Sequence, residues 1–589
     1  MSPTTQDIHP VCKMRSGVVC LCLLFGFVLI GCRLFYLQVL QSDAGAYQVQ
    51  RQHQKSVMVQ PDRGVIVDRH GHPLALNVDV PSVYVNSGSL KNPRQTAQAL
   101  APVLKMPVGR LREIFQRKQP HALVKRHIPE EMAKQLVSMA IPGVEVARGS
   151  HRFYPKGALG SHVLGFAGDD NQGLEGIEFH YESFLRGEKN LVQYQRDAKG
   201  GIISSLYNQD PTGPQAGFHV TLSIDEVIQF IAEDELSKAV RQSRAKSGSI
   251  LIMDPMTGSI LAWALYPTFD PNHFRKLSAK DWRNRAVTDP YEPGSTLKVV
   301  VAAAALEERV MEPDTLIYGG DGQMSVAGTI VHDPANSSWM TFSEALVRSS
   351  NVGAIKVAVQ LGRSRVFAYL KAFGFGEKTG IDLSGESPGI LHHPDTWSGR
   401  SLSSLALGQE IAVTPIQMVT AMSVVANGGW LMTPGVVSSV LDGQGQAVFT
   451  KDPQPKRRPI SSQTARRMGH ILEAAVETGT GRGAKLVGYR VAGKTGTSQK
   501  IDPKTGTYSS LDVIASFVGF VPADQPCLTM LVVIDEPEIG KWGGKTAAPV
   551  FGNVAKRVLP HLGILPGGAQ LIRTVSLAPH SSPVQAFVQ

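Results

Sequence analysis

Glu292-Pro-Gly-Ser295-Thr-Leu-Lys298-Val-Val-Val-Ala-Ala-Ala-Ala305 joins a Pro-Gly pair that resists helix to an apolar, alanine-rich run that favours it. The junction predicts a helix over 296–308, with Ser295 at its start and Lys298 one turn on, along the same face. A serine hydroxyl is a weak nucleophile until a neighbour takes its proton, and a lysine held neutral can do so. The positive end of the helix dipole and a partly desolvated pocket both disfavour the ammonium form of Lys298. Backbone N–H groups at such a helix start also suit an oxyanion. The spacing alone means little, because Ser243-Arg-Ala-Lys246 repeats it. That copy lies at a helix end in a polar stretch, with no apolar helix after it, and reads as solvated surface.

Two further motifs follow in order. Ser349-Ser350-Asn351 is the only Ser-x-Asn in the chain and comes after a helical stretch, Phe342 to Val347. It reads either as a helix stop or as a working pair, with Ser349 relaying protons and Asn351 holding a substrate amide. Lys494-Thr495-Gly496-Thr497 lies on the strand-like approach Tyr489-Arg-Val-Ala-Gly493. Gly496 admits a ligand close to the backbone, while Thr495 and Thr497 suit a carboxylate, helped by the Lys494 charge. A copy, Lys504-Thr-Gly-Thr507, follows Asp502-Pro503 and reads as a loop between strands.

Outward from these motifs, apolar strands are predicted at 220–224, 249–254, 260–264, 513–521 and 528–534. Asp225 is placed to cap an amphipathic helix running to about Val240, and Pro415 to Ala426 forms another helix. Terminal strands enclosing a helical middle predict an antiparallel sheet flanked by helices, an α+β domain. Before it, Val65 to Gly71 reads as a strand entering a turn, with a strand resuming at Pro73. Residues 93–140 turn helical, with Ala97, Leu100, Leu104, Leu111, Ile114 and Phe115 at helical spacing. Asp210-Pro-Thr-Gly-Pro214 marks a boundary.

The 589 residues exceed one core, and a 42% hydrophobic, 18% charged composition is that of a globular protein. A net charge of +10 is modest over this length, and no basic run with interleaved aromatics points to nucleic acid. Cys12, Cys20, Cys22 and Cys32 cluster at the start, and only Cys527 lies beyond them. An intramolecular disulfide in the remainder is thereby excluded, and no CxxC or Cys/His spacing there marks a structural zinc site. Gly17 to Leu40 is apolar over the length a bilayer helix needs, and Lys13 and Arg15 before it place the N-terminus in the cytoplasm. A cleaved signal peptide would want a polar mature start. Leu29-Ile-Gly-Cys32 has the form of a lipoprotein processing site, but Arg33-Leu-Phe-Tyr-Leu37 is no flexible polar spacer.

Ser-x-x-Lys, Ser-x-Asn and Lys-Thr-Gly in this order are a signature of penicillin-binding proteins and class A β-lactamases, here with Ser350 where the pattern has Asp. From about Arg33 to Leu565 the chain resembles class B penicillin-binding proteins, especially the division-specific FtsI type. Arg63-Gly-Val-Ile-Val-Asp68-Arg69-His-Gly71, Arg152-Phe-Tyr-Pro155, His162-Val-Leu-Gly165 and Gly173-Leu-Glu-Gly-Ile-Glu178-Phe-His-Tyr181 look like that family's N-terminal motifs. Asn284-Arg-Ala-Val-Thr-Asp289 and Leu407-Gly-Gln409 with Thr414-Pro415 also fit. Arg63 and the glycines are expected to position domains without doing chemistry.

The resemblance implies a cytoplasmic tail (1–16), a transmembrane anchor (17–40), a pedestal, or dimerisation-like, domain (41–215), a transpeptidase domain (216–565) and a loose tail (566–589). It implies a peptidoglycan D,D-transpeptidase of the inner membrane and septum, catalytic domain outside, inhibited by β-lactams and without metal or organic cofactor. Ser295 attacks the penultimate D-alanine, Lys298 is the general base and Ser349 relays a proton to the leaving amine. Ser295 and Thr497 supply oxyanion N–H groups. Asn351, Lys494, Thr495, Gly496 and Thr497 line the substrate. Implied partners are stem peptides, a SEDS-type (FtsW-like) glycosyltransferase and other divisome membrane proteins. Rival readings are an elongation-type transpeptidase, a carboxypeptidase or β-lactamase-like hydrolase, and a non-catalytic penicillin sensor or divisome scaffold. Anchor and pedestal argue against a hydrolase. A sensor would want a larger cytoplasmic or multi-pass portion than the short segment ahead of Gly17.

Overall fold

A computed structural model describes residues 10–40, 54–59, 61–117, 122–187, 190–196, 202–205, 216–333, 338–502 and 504–568. The boundary passage 210–214, residues 1–9 of the expected N-terminal tail and residues 569–589 of the expected C-terminal tail lie outside these residues. The chain divides into two compact units, Met1–Pro61 with Glu188–Gln215, and Asp62–Gly187 with Ala216–Gln589.

In the first unit, helix Pro10–Phe35 continues into a π-helical turn, Tyr36–Leu40. The helix begins before the apolar run because Pro10 is tolerated in a first turn, where its missing N–H costs nothing. Met14–Val39 is long and apolar enough to cross a bilayer. Cys32 and Arg33 fall within the uninterrupted helix. Strands Gln54–Val59, Asn190–Arg196 and Ile202–Ser205 form a separate antiparallel sheet.

The second unit is built around a five-stranded antiparallel sheet in the order Ile260–Tyr266, Ser247–Met253, Leu528–Asp535, Tyr508–Val521, Ala492–Ile501. Its inner strands are largely apolar on both faces, so their alternate side chains feed two different cores. Ile250 and Ile252 point into one core with Ala515, Phe517, Val532 and Ile534, under helices Glu226–Ser243 and Ala547–His561. Leu251 and Met253 point into the other with Val518, Phe520 and Leu531, under the helical middle of the chain. The expected α+β layering follows from this. Asp225 caps its helix as expected, accepting from the N–H groups of Val227 and Ile228 at 3.0 and 3.1 Å. That helix runs to Ser243 rather than Val240.

Three expectations need correction. Ser243 is buried, not solvated: its hydroxyl donates to the Ala239 carbonyl at 2.7 Å, which satisfies it inside the helix. The helical region 93–140 is interrupted by strand Ala122–Lys125, whose short alternating pattern was lost among flanking helices. The helix after Ser295 is split, with a 3-10 turn Gly294–Thr296 leading into Lys298–Glu307.

A second sheet runs in the order Ala447–Thr450, Val437–Leu441, His219–Leu222, Ile66–Val67, Pro73–Val85, Ala122–Lys125, with Val144–Phe153 also paired to Pro73–Val85. The pairing of His219–Leu222 with Ile66–Val67 is parallel. This sheet therefore carries strands from both sides of residue 215. Beneath it, Glu178 is fully buried between two arginines. Arg63 Nε and Arg152 Nε each lie 2.6 Å from one of its carboxylate oxygens.

Candidate active site

Ser295 sits in the 3-10 turn Gly294–Thr296, half-buried, with helix Lys298–Glu307, apolar from Val299 to Leu306, driven into the core behind it. Gly294 has φ +56°, a conformation that favours glycine. Its N–H donates to the Gly408 carbonyl at 3.1 Å. Gly408 must itself be glycine, since a Cβ there would fall 2.0 Å from the Gly294 carbonyl oxygen.

Lys298 is 2% exposed. Its Nζ donates to the carbonyls of Ser349 and Ser350 at 2.9 and 3.2 Å and to Asn351 Oδ1 at 2.7 Å. Burial pushes its amine down to about 7, against the opposing pull of the Asp333 carboxylate. Lys494 is fully buried and donates to Ser349 Oγ at 2.8 Å. Burial first, and the neighbouring Lys298 charge second, hold its pKa well below the usual lysine range.

Ser349 thus touches both amines, one through its hydroxyl and one through its carbonyl. It occupies a left-handed backbone conformation, φ +62°, between helix Phe342–Val347 and helix Asn351–Leu361. Glycine would adopt that conformation without strain, so serine holds it at a backbone cost. Ser350 is the N-cap of the second helix, accepting from the Gly353 N–H at 2.8 Å. The helix-boundary reading therefore holds for Ser350, which starts the second helix rather than stopping the first, while the Ser349 and Asn351 side chains lie against the two buried amines.

Lys494 and Gly496 share one face of strand Ala492–Ile501, the outermost strand of the five-stranded sheet. At Gly496 a Cβ would lie 2.9 Å from Thr296 Cγ2 and 3.0 Å from the Pro293 carbonyl oxygen, so its bareness lets the strand lie against the Ser295 turn. The close approach seen at Gly496 is to the protein's own chain. The Thr495 carbonyl accepts from Lys494 Nζ at 3.2 Å, but the Thr495 and Thr497 hydroxyls bond elsewhere. The Thr495 hydroxyl pairs with that of Thr480 at 2.7 Å, and Thr497 Oγ1 accepts from the Gly543 N–H at 3.1 Å. Lys504-Thr-Gly-Thr507, by contrast, turns the hairpin between the strands, where Gly506 has φ +68°.

One residue escaped the sequence reading. Asp333 accepts from Ser350 Oγ at 2.6 Å, from the Val352 N–H at 2.9 Å and from the Asn351 N–H. Asn351 Nδ2 in turn donates to the His332 carbonyl at 2.8 Å, which aims its Oδ1 at Lys298. No local spacing signals a cap supplied from a separate upstream loop. Together, two buried amines, a shared hydroxyl and a turn-mounted serine can take a proton from one oxygen and deliver it to another atom nearby.

The family described as "Penicillin binding protein transpeptidase domain" matches residues 248–556, and the "Penicillin-binding Protein dimerisation domain" family matches residues 58–222. This chain belongs to the class B penicillin-binding proteins. It is similar to the stage V sporulation protein D of Bacillus subtilis, 37% identical over 93% of this chain and 86% of that protein. It is also similar to the peptidoglycan D,D-transpeptidase FtsI of Escherichia coli K12, 30% identical over 96% of this chain and 95% of that one. Among solved structures, penicillin binding protein 3 from Mycobacterium tuberculosis in complex with aztreonam matches with a TM-score of 0.68. That likeness has 27% identity and covers 87% of this chain and all of the other. This class B penicillin-binding protein is a transpeptidase of the penicillin-binding fold, with one N-terminal helix that fits a single-pass membrane anchor.

Proposed function

We propose that the protein is a peptidoglycan D,D-transpeptidase that cross-links stem peptides at the division septum, with Ser295 as its acylated nucleophile. The observation that carries this reading is the convergence of Lys298 and Lys494, both buried, on Ser349, beside the turn that presents Ser295. Ser295 Oγ attacks the carbonyl of the penultimate D-alanine, and its proton passes to neutral Lys298. Backbone N–H groups of Ser295 and Thr497 receive the oxyanion. Ser349, bonded to Lys494, returns a proton to the amine of the departing D-alanine. An amine from a neighbouring strand then attacks the acyl-enzyme and frees Ser295. Asn351 holds a substrate amide, and Lys494, Thr495 and Thr497 bind the terminal carboxylate across the bare backbone at Gly496. β-Lactams acylate Ser295 as mimics of the same carbonyl.

Residues 41–215 serve as pedestal and 216–565 as the catalytic domain, carried outside the membrane by an anchor over 17–40 whose N-terminal side faces the cytoplasm. The partner is a SEDS-type glycosyltransferase that supplies glycan strands, together with other divisome proteins. Likeness to FtsI across nearly the whole length of both chains supports the septal role. The 37% identity to a sporulation protein supports a second reading, cross-linking of a specialised wall. Depletion separates them: filamentous cells support the septal role, whereas normal division with a defect confined to spore formation supports the second.

A fluorescent penicillin tests the chemistry on wild type, Ser295→Ala and Ser243→Ala. Label lost only in Ser295→Ala is the expected result. Label surviving in Ser295→Ala would move the nucleophile to another residue, and label absent from wild type would favour a non-catalytic scaffold.

A further inference from the structure

Far from Ser295 in sequence, three side chains meet in an arrangement that transpeptidation does not use. His70 Nε2 lies 3.0 Å from Asp225 Oδ2, and His561 Nε2 lies 3.1 Å from both Asp225 oxygens. The three potential ligand atoms lie within 4.8 Å of one another. They come from the turn after strand Ile66–Val67, from the N-cap of helix Glu226–Ser243 and from the last residue of helix Ala547–His561. We propose that His70, Asp225 and His561 bind a divalent transition-metal ion of the Zn²⁺ class, with water completing its coordination.

The donor set fits. Two neutral imidazoles and one carboxylate are ligands such ions favour, and tetrahedral sites need a fourth position that water can fill. Each imidazole offers its Nε2 lone pair once its proton sits on Nδ1. Asp225 is fixed before any ion arrives. Its backbone N–H donates to the Leu261 carbonyl at 3.0 Å, and Oδ1 is occupied by the helix N–H groups of Val227 and Ile228. Oδ2 is left facing the two imidazoles. The His70 loop is fixed in turn by Asp68 Oδ1, which accepts from the N–H groups of His70 and His72 at 2.9 and 2.8 Å. The side chains of His70 and His561 are 48% and 30% exposed, which leaves them room to close from hydrogen-bonding onto metal-bonding distance and leaves one side open to water.

A neighbouring group, Asp68, His72 and Glu226, also gathers its atoms within 4.8 Å, but it suits an ion less well. Lys156 Nζ already sits 2.6 Å from Glu226 Oε1, and the Asp68 carboxylate accepts three backbone N–H groups, those of His70, His72 and Glu226. An ion there competes with an ammonium. His72 therefore provides an internal control beside the proposed site.

The test uses untagged, full-length protein in detergent, stripped of metal with a chelator and titrated with Co²⁺ by visible absorption and with Zn²⁺ by calorimetry. Wild type and His72→Ala are expected to bind one equivalent alike. His70→Ala and His561→Ala are expected to bind at least about tenfold more weakly, since each loses one of three protein ligands. Zn²⁺ should raise Tm in wild type and His72→Ala but not in the other two, all four labelling equally with penicillin. No saturable binding by wild type, unchanged affinity in His561→Ala, or loss in His72→Ala equal to that in His70→Ala would overturn the proposal.

Discussion

At the scale of single residues, the proposed mechanism makes acylation of Ser295 depend on the state of Lys298. Its amine, lowered by burial to about 7, is the base only when neutral. Acylation by a neutral β-lactam should therefore rise about tenfold per pH unit below 7 and level off above it. Stopped-flow acylation rates between pH 5.5 and 9 check this, and a rate that falls as pH rises through 7 would remove Lys298 from the role of base. Ser295, Lys298, Ser349, Asn351 and Lys494 were legible because each motif is short and its local structure is written in the adjacent residues. Asp333 was not. It acts through a bond from an upstream loop to a helix start, and such a pairing leaves no period or spacing to read.

At the scale of elements, the site depends on a strand lying directly on a turn. Gly496 makes this possible, and a Cβ there would also fall 2.4 Å from Ser516 Oγ on the adjacent strand. Gly496→Ala should fold, because the rest of the strand keeps its pairing with Tyr508–Val521. The strand must nonetheless shift away from Ser295. A displacement of about 1 Å is enough to lower acylation by about 100-fold, while Tm moves little. Parallel penicillin labelling and melting curves separate that outcome from unfolding, and full-rate labelling by the variant would show that the contact is slack. The buried strands were legible as apolar runs bounded by turns. Strand Ala122–Lys125 and the burial of Ser243 were not, because so short a strand carries little pattern and a hydroxyl satisfied by its own helix looks the same as a solvated one.

At the scale of the whole molecule, the Arg63–Glu178–Arg152 group is the least forgiving charge cluster described. Glu178→Ala leaves two guanidinium groups buried without their shared carboxylate, which should cost about 3–5 kcal/mol, whereas a surface pair contributes about 1 kcal/mol or less. Denaturant melts of wild type, Glu178→Ala and the exposed-pair variant Glu130→Ala check the difference, and equal losses in the two variants would contradict it. The reading that Arg63 and the glycines position structure agrees with this burial. Less legible was a sheet that draws strands from both sides of residue 215. Its parallel pairing of Ile66–Val67 with His219–Leu222 joins segments far apart in the chain, and no local signal crosses that distance.

The pairing of strand Ser247–Met253 with strand Leu528–Asp535 inside the five-stranded sheet has a consequence for biogenesis. Under the proposed topology, strand Ser247–Met253 leaves the export channel long before Leu528–Asp535, its neighbour towards the Ser295 side. Nearly the whole catalytic domain must therefore arrive before the sheet can close. Loop closure on that scale is slow, and during the wait an apolar strand edge stands open to other chains. The half-delivered domain's vulnerability to proteolysis should end only when the last strands have been delivered.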